Sequence, residues 1–221
     1  MFSRTNRVIG EEKLNKIISS HIAVLGLGGV GGYVVEMLTR LGVKKLTIVD
    51  FDKVDVSNLN RQIIATNNNI NCYKTSEFVS RIKSINPNCE VVEKNQKISA
   101  ENIGELLNEK YDYVIDAIDD INAKVGVAKY CQENNIKLVS SMGTGNRYKM
   151  PQFEVADISK TSYDKLAKKL RKMLKDNGVE KLNVVYTKEP AEQTESLGSV
   201  VYYPLMCAGV IVSFVTNEII K

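Results

Sequence analysis

Few residues in this sequence could form a metal centre or a disulfide framework, since its 221 residues include only four cysteines and one histidine. Cys72, Cys89, Cys131 and Cys207 lie far apart and form no CxxC pair. This pattern argues against a structural zinc site and against the disulfides of a small secreted domain. The histidine, His21, stands at the start of an apolar strand, where we expect a packed or solvated imidazole rather than a catalytic base.

The sequence also lacks a large excess of charge and a long, uninterrupted apolar run. Its formal net charge is +4, which excludes a polycation but allows local basic patches. The N-terminal residues contain no apolar run. The most apolar late segment, 205–220, is short for a bilayer and is interrupted by Ser213, Thr216, Asn217 and Glu218. We therefore expect a cytoplasmic protein without membrane contact.

The sequence does contain a glycine-rich turn, GLGGVGG at 26–32, between an apolar strand at 22–25 and a helix at 30–41. Such a turn lets backbone N–H groups approach a phosphate at the positive end of a helix dipole. The GxGxxG spacing of Gly26, Gly28 and Gly31 is weak evidence alone, because glycines also serve tight turns. A second strand then ends in Asp50, the acid that a ribose hydroxyl requires, and this context favours a nucleotide site.

Strand and helix patterns alternate along most of the chain. Strands are predicted at 22–25, 45–50, 89–93, 112–116 and 136–140, and helices at 11–19, 30–41, 73–85, 101–108 and 121–134. The alternation predicts an α/β fold, a Rossmann-like, mostly parallel sheet with helices on both faces. The glycine turn, Asp50 and the segment after the strand at 112–116 then meet at the carboxyl edge of the sheet and form one pocket.

The pattern changes in the last third of the chain. A strand at 151–158, a helix at 161–178 and a strand at 182–188 precede a polar loop at 189–199 and an apolar helix at 203–220. No composition break divides the chain into independent units. We predict a single domain over 1–221, with a nucleotide-binding core at 1–145 and a C-terminal elaboration at 146–221 for substrate and dimer contacts.

Three polar side chains after the second strand distinguish this sequence from an ordinary dinucleotide-binding domain. Asn58, Arg61 and Lys74 supply one amide and two cations beyond what a pyrophosphate needs. A reacting triphosphate requires such charges, and Mg²⁺, when pyrophosphate departs. Taken singly, either cation is better explained as a surface charge. Asp119, after an apolar strand, is a candidate Mg²⁺ ligand, whereas Asp116 is a candidate structural or supporting acid.

A series of motifs, in order along residues 1–145, resembles the MoeB/ThiF superfamily of ubiquitin-activating-type adenylating enzymes. The motifs are RxxRxxG from Arg4 to Gly10, GxGGVG from Gly26, VDxDxVxxSNxxRQ around Asp50, a lysine thirteen residues after Arg61, INP at 85–87 and DAID at 116–119. Within that superfamily, the segment 116–175 is similar to the tRNA threonylcarbamoyladenosine dehydratases.

The resemblance implies a role for each matching residue. It puts four glycines under the phosphates of ATP: Gly26, Gly28, Gly29 and Gly31. It puts Asp50 on the ribose, counts Asp52 among the nucleotide-binding residues, and arranges Asn58, Arg61 and Lys74 around the phosphates and Asp119 on Mg²⁺. It also implies that Arg7 enters the partner subunit's site as an arginine finger, which requires a homodimer.

Two departures from the family pattern leave details of these assignments open. The approach to Lys74, NINCYK, lacks the glycine that is usual there, which leaves the register of the lysine open. In DAIDD, Asp120 stands where many relatives have asparagine. The choice of metal ligand between Asp119 and its neighbouring acid therefore stays open at this point.

The resemblance to the dehydratases implies ATP-dependent cyclisation, with net loss of water, of threonylcarbamoyladenosine in tRNA through an acyl-adenylate intermediate. The neighbouring carbamoyl group captures the activated carboxylate, so no enzyme thiol is required. One alternative is adenylation of a ubiquitin-like sulfur-carrier protein, with sulfur-relay proteins as partners. Another is a nucleotide-binding scaffold without activity. The absence of CxxC pairs and the presence of a basic helix favour the first reaction.

Cys207 and the basic helix both bear on the acyl substrate. Cys207 stands near the start of the last helix, where the dipole favours a thiolate, but its apolar neighbours favour a core residue. The predicted helix from Tyr163 to Lys175 carries six basic residues largely on one side: Lys165, Lys168, Lys169, Arg171, Lys172 and Lys175. Such a side is ordinarily just solvated, and the resemblance favours contact with an RNA backbone.

Overall fold

The computed structural model describes residues 2–221, which form one seven-stranded sheet flanked by eight helices. The strands are β1 (His21–Leu25), β2 (Lys45–Val49), β3 (Glu90–Lys94), β4 (Tyr113–Asp116), β5 (Leu138–Ser141), β6 (Phe153–Asp157) and β7 (Asn183–Thr187). The helices are α1 (Ser3–Ile9), α2 (Glu11–Ile18), α3 (Gly29–Leu41), α4 (Lys74–Ile85), α5 (Ile103–Leu106), α6 (Ile121–Glu133), α7 (Lys165–Asp176) and α8 (Tyr202–Ile220). Two short 3₁₀ turns cover Val56–Asn58 and Ile158–Lys160.

The strand order across the sheet is β3, β2, β1, β4, β5, β7, β6. Neighbouring strands are parallel except for β6 and β7. This is the mostly parallel α/β arrangement that the sequence predicts. The order reverses between β1 and β4, and sheets of this kind bind ligands at the carboxyl edge beside that switch point. The strands after residue 145 extend the same sheet.

The central strands are apolar because helices cover both faces of the sheet. Every residue of β4 and the last four residues of both β1 and β2 are buried. Helix α3 begins at the glycine turn and packs Val34, Val35 and Leu38 into the main core. It ends at Leu41 and is capped by Gly42, whose φ of 93° is a left-handed conformation that glycine adopts without strain.

Helix α8 packs one side against α3 and the sheet. Its residues Cys207, Ala208, Ile211 and Val215 are fully buried in the main core, which accounts for much of its apolar character. This helix of 19 residues is long and apolar enough to cross a membrane, judged by length and composition alone. Within its most apolar stretch of 18 residues, 39% is buried inside the molecule. The expectation that the segment is too short for a bilayer was therefore wrong on length.

Three helices differ from the sequence prediction: one was not predicted, and two have shorter bounds than predicted. The sequence pattern does not predict α1, whose residues are all at least partly exposed. Helix α5 covers only Ile103–Leu106 of the predicted 101–108. Helix α7 begins at Lys165, because the carboxylate of Asp164 accepts a hydrogen bond from the N–H of Ala167 at 2.9 Å and caps the helix there. Tyr163 therefore lies outside the helix.

His21 is a packed residue, as expected. Its ring nitrogens lie 3.0 Å from the carbonyl oxygen of Lys110 and 2.9 Å from the hydroxyl of Thr47. Burial lowers the pKa of the ring, and His21 does not line the cavity described below. The four cysteines are all free, as their spacing predicts.

Candidate active site

A cavity of about 690 Å³ opens along the carboxyl edge of the sheet, beside the ends of β2, β1, β4, β5 and β7. We call the part lined by Gly26, Gly28, Gly29, Asp50, Arg61 and Lys74 the nucleotide end. The far end is the part lined by residues 143–147 and 163–166 and by Pro190, Ala191 and Leu197. Asp119 follows β4, which lies between the strands that lead to the two ends. The single pocket that the sequence predicts at this edge is confirmed.

The glycine turn fits closely against the segment after β4. Gly26 has a φ of 85°, and a Cβ added there would lie 2.7 Å from the carbonyl oxygen of Ala117. A Cβ at Gly31 would lie 1.8 Å from the carbonyl oxygen of Gly26, so both positions require glycine. Within the described chain, no side chain caps the start of α3. The first N–H groups of that helix are therefore available to an anion in the cavity.

Asp50 holds the glycine turn from the end of β2. Its carboxylate accepts hydrogen bonds from the N–H groups of Leu27, at 2.6 Å, and Asp52, at 2.8 Å. Burial raises the pKa of this carboxyl, and the nearby charge of Lys74 opposes that shift. The side chain also lines the nucleotide end, where the sequence predicts an acid for a ribose.

Lys74 places a positive charge in the wall of the nucleotide end. It is the first residue of α4, its side chain is only 4% exposed, and its ammonium lies 2.9 Å from Oδ2 of Asp52. Asp52 also lines the cavity and is 49% exposed. The ammonium has three N–H donors. The ion pair with Asp52 therefore fixes the ammonium in the cavity wall, and the remaining N–H groups can donate to a bound anion.

Arg61 is the second cation of the nucleotide end. Its Nη1 donates to the backbone carbonyl of Ser57 and to Oδ1 of Asn60, both at 2.8 Å. A Cβ at Gly29 would lie 3.7 Å from the side chain of Arg61, which places the arginine against the glycine turn. The structure thus brings Arg61 and Lys74 to the nucleotide end of one cavity, as expected for the polar cluster after Asp50.

Asn58 and Gly31 lie behind this wall rather than in it. Asn58 is buried, and its Oδ1 accepts the N–H of Asp55 at 3.0 Å as part of the cap of the Val56–Asn58 turn. Its backbone carbonyl accepts the N–H of Arg61 at 3.1 Å. Neither Asn58 nor Gly31 is among the described residues that line the cavity. Asn58 therefore supports the turn that precedes Arg61, and Gly31 allows the close packing of the glycine turn.

Asp116 and Asp120 are both engaged by neighbouring groups. Asp116 is buried, and its Oδ2 accepts hydrogen bonds from the ammonium of Lys124, at 3.0 Å, and the hydroxyl of Ser140. This makes it a structural acid. The Oδ1 of Asp120 accepts two N–H groups in the first turn of α6, at 2.7 and 3.1 Å, and caps that helix.

Asp119 has the carboxylate best suited to a metal ion at this site. It lines the cavity, and none of the hydrogen bonds and ion pairs within residues 2–221 engages it. The described residues contain no group of three or more His, Cys, Asp or Glu side chains that could hold a metal. Mg²⁺ requires no such group, since it binds through one or two carboxylates together with substrate phosphates. Asp119 fits that donor set.

Sequence reasoning missed the far end of the cavity. Arg147 is 6% exposed there, and it donates to the carbonyl oxygens of Gly143, Gly145 and Glu189 at 2.9, 3.2 and 2.8 Å. Its Nη2 lies 3.6 Å from Oδ2 of Asp164. This one side chain therefore ties together the loop after β5, the loop after β7 and the start of α7. The GTGNR run after β5 is the signal that could have identified it.

Cys207 and Arg7 do not line the cavity of their own chain. Cys207 is fully buried, and burial raises the pKa of its thiol to about 12. The expectation of a core cysteine is therefore confirmed, and a reactive thiolate is not supported. Arg7 is exposed on α1, a helix without buried residues.

Comparison with known proteins finds close similarity over almost all of the chain. The ThiF family model matches residues 2–221. The chain is 40% identical over 181 residues to the tRNA threonylcarbamoyladenosine dehydratase of Escherichia coli (strain K12), covering 81% of this chain and 68% of that protein. It is 40% identical over 189 residues to the enzyme of the same name from Bacillus subtilis (strain 168), covering 85% and 74%. A crystal structure of the E. coli dehydratase in complex with ATP superposes with a TM-score of 0.95 and 35% identity, covering 99% of this chain and 93% of that one.

Proposed function

Because this chain belongs to the ThiF family, we propose that it is an ATP-dependent enzyme that adenylates the carboxylate of threonylcarbamoyladenosine in tRNA and closes it into a ring. One observation carries the proposal: a single cavity joins a nucleotide end, with a glycine turn and two cations, to a far end with different residues. The nucleotide end suits ATP, and the far end offers a separate binding place for the acyl substrate. We propose a cytoplasmic location, since the substrate is a tRNA.

The first step joins the substrate to ATP. A carboxylate oxygen attacks the α-phosphorus, the bond to the bridging oxygen breaks, and pyrophosphate leaves. Arg61 and Lys74 stabilise the negative charge that develops on the phosphates, because both are fixed before ATP arrives. The N–H groups at the start of α3 donate to the same phosphates, and Asp50 orients the ribose.

The second step closes the ring. An atom of the carbamoyl group attacks the acyl carbon, the bond to the phosphate oxygen breaks, AMP leaves with the former carboxylate oxygen, and a carbamoyl proton is released. The nucleoside thus loses the elements of water while ATP becomes AMP and pyrophosphate. The nucleophile belongs to the substrate, so proximity replaces an enzyme nucleophile. The burial of Cys207 agrees with this route.

We propose Mg²⁺ as the metal at this site, with Asp119 as its protein ligand. The supporting observation is a cavity-lining carboxylate to which none of the residues 2–221 donates a hydrogen bond. Asp119 would hold this ion, which would supply positive charge to offset that of the departing pyrophosphate.

We further propose a homodimer in which Arg7 of one subunit enters the cavity of the other. Arg7 is exposed and does not line its own cavity. An open groove of about 400 Å³ along β6 and α8 is lined mainly by apolar residues, including Val155, Leu205, Met206, Val210 and Phe214. Exposed apolar patches of this kind mark protein interfaces. Residues 146–221 would then supply both substrate and dimer contacts.

The proposed function is tested by measuring pyrophosphate release and AMP formation with three acceptors. These are tRNA carrying threonylcarbamoyladenosine, the same tRNA without the modification, and a sulfur-carrier protein that ends in Gly-Gly. We expect AMP only with the first, together with a nucleoside product lighter by one water in its mass spectrum. Arg61→Ala should abolish AMP formation without changing the melting temperature. Pyrophosphate release with the carrier protein as the only acceptor, which is the product of adenylating its carboxylate, would contradict the proposal and support the alternative adenylation reaction.

A further inference from the structure

Tyr163 is a large aromatic residue in an exposed position at the far end of the cavity. It lines the cavity, yet 76% of its surface is open to solvent. A side chain that is so exposed adds little to the core. Packing therefore does not explain why an aromatic ring stands at this position.

The backbone holds Tyr163 in an uncommon conformation. Its φ is 60°, and the N–H of Asp164 donates to the carbonyl oxygen of Ser162 at 2.8 Å, so the three residues form a γ-turn of the rare, strained kind. Bulky residues seldom adopt a positive φ unless the surroundings enforce it. Here Asp164 caps α7 and lies 3.6 Å from the buried Arg147. The turn is thereby anchored, and the ring is kept outside the helix at the cavity opening.

Helix α7 continues from this turn with a row of exposed cations. Lys165 lines the cavity, and Lys168, Lys169 and Lys172 are exposed farther along the helix. The opposite side is buried through Ala167, Leu170 and Leu174. An exposed aromatic ring beside a row of lysines is the combination with which proteins bind unpaired nucleotides, the ring stacking on a base and the cations contacting phosphates.

We propose that Tyr163 stacks on a nucleobase of the RNA substrate and thereby selects an RNA acceptor at the far end. The inference rests on the proposed function and names the residue that recognises its substrate. Every nucleobase offers a flat π-face to such a ring, whereas the flexible Gly-Gly end of a carrier protein offers none. Asp164 and Arg147 act as positioning residues for this contact, because they anchor the turn without touching the base.

The test uses variants that separate the ring from the backbone. Tyr163→Phe keeps the ring, Tyr163→Leu removes it, and Tyr163→Asn removes it while tolerating the positive φ. Tyr148→Leu is the matched control, since Tyr148 is 58% exposed and does not line the cavity. Steady-state AMP formation gives KM for the modified tRNA, KM for ATP and kcat, and a thermal melt reports stability.

We expect the Leu and Asn variants to raise KM for the tRNA at least about fivefold, the loss associated with removing one base–aromatic stack. KM for ATP should stay unchanged, and Tyr163→Phe and Tyr148→Leu should behave like the wild type. Tyr163→Asn should melt at or above the wild-type temperature, because it relieves the positive-φ strain.

Two outcomes would overturn the inference, and they are distinguishable. If the wild type forms AMP with the tRNA and the Leu and Asn variants keep its KM, Tyr163 does not bind the base, and the proposed function survives. If the wild type releases pyrophosphate only with the Gly-Gly carrier protein, both the inference and the proposed function fail.

Discussion

Asp119 and Asp120 are adjacent carboxylates whose different surroundings predict different effects of the same substitution. Asn caps a helix as well as Asp does, so Asp120→Asn should keep both the start of α6 and the activity. Asp119→Asn removes a charge that no described residue engages, so the fold should be unchanged. We expect the Mg²⁺ concentration for half-maximal AMP formation to rise at least about tenfold in Asp119→Asn, as measured by a magnesium titration. A larger effect in Asp120→Asn would reverse the two assignments.

The chemistry of single residues was more predictable than their contacts. Sequence reasoning on the cluster after Asp50, together with the family motifs, indicated Arg61 and Lys74 as phosphate-site cations, because a phosphate site needs cations near a glycine turn. It could not predict that Lys74 pairs with Asp52, since that pair depends on how the start of α4 meets the segment after β2. Nor could it predict that Asn58 caps a short turn behind the wall. The predicted position of Asn58 in the phosphate site therefore stays a prediction.

Helix α7 can be tested as an electrostatic surface because its charged and buried sides are separate. Lys168 and Lys172 are exposed, whereas Ala167, Leu170 and Leu174 carry the packing. Replacing both lysines by Gln should weaken tRNA binding at low salt and leave the melting temperature unchanged. The slope of log KM against log salt should fall by about one for each lysine. A doubly substituted enzyme with the wild-type salt slope would show that α7 is only solvated; Lys129→Gln on α6 serves as the control.

The same helix shows where prediction of elements from sequence stops. The predicted basic side of α7 is confirmed for Lys165, Lys168, Lys169, Lys172 and Lys175, which are exposed, since that pattern depends only on the helical repeat. The start of α7 was placed too early, because Asp164 caps the helix through the N–H of Ala167 and also contacts Arg147 of the loop after β5, a long-range contact that spacing does not show. Helix α1 escaped prediction for a related reason: no residue of it is buried, so no periodic pattern marks it.

At the scale of the whole molecule, the sheet order turns separate sequence motifs into one site. Segments after β2, β1, β4, β5 and β7 all reach the same edge, and their order places the nucleotide end and the far end side by side in one cavity. The glycine turn and Asp50, together with the strand–helix alternation, were sufficient to predict a pocket at this edge. The far end was not predictable in the same way, because Arg147, Tyr163 and Leu197 come from three loops whose meeting depends on tertiary packing.

The proposed exchange of Arg7 between subunits predicts that two inactive chains can restore each other. Arg7→Ala lacks the arginine, and Lys74→Met lacks the phosphate cation, so each homodimer should be inactive. In a heterodimer purified through two different tags, the Arg7→Ala subunit keeps Lys74 and receives Arg7 from its partner. One site of two is then complete, and AMP formation should reach about half that of the wild-type dimer. The control is a heterodimer of the Arg7→Ala chain with a chain that carries both Arg7→Ala and Lys74→Met, because this heterodimer has no complete site. If Arg7 acted within its own chain, neither heterodimer would be active, because no chain in either would carry both residues.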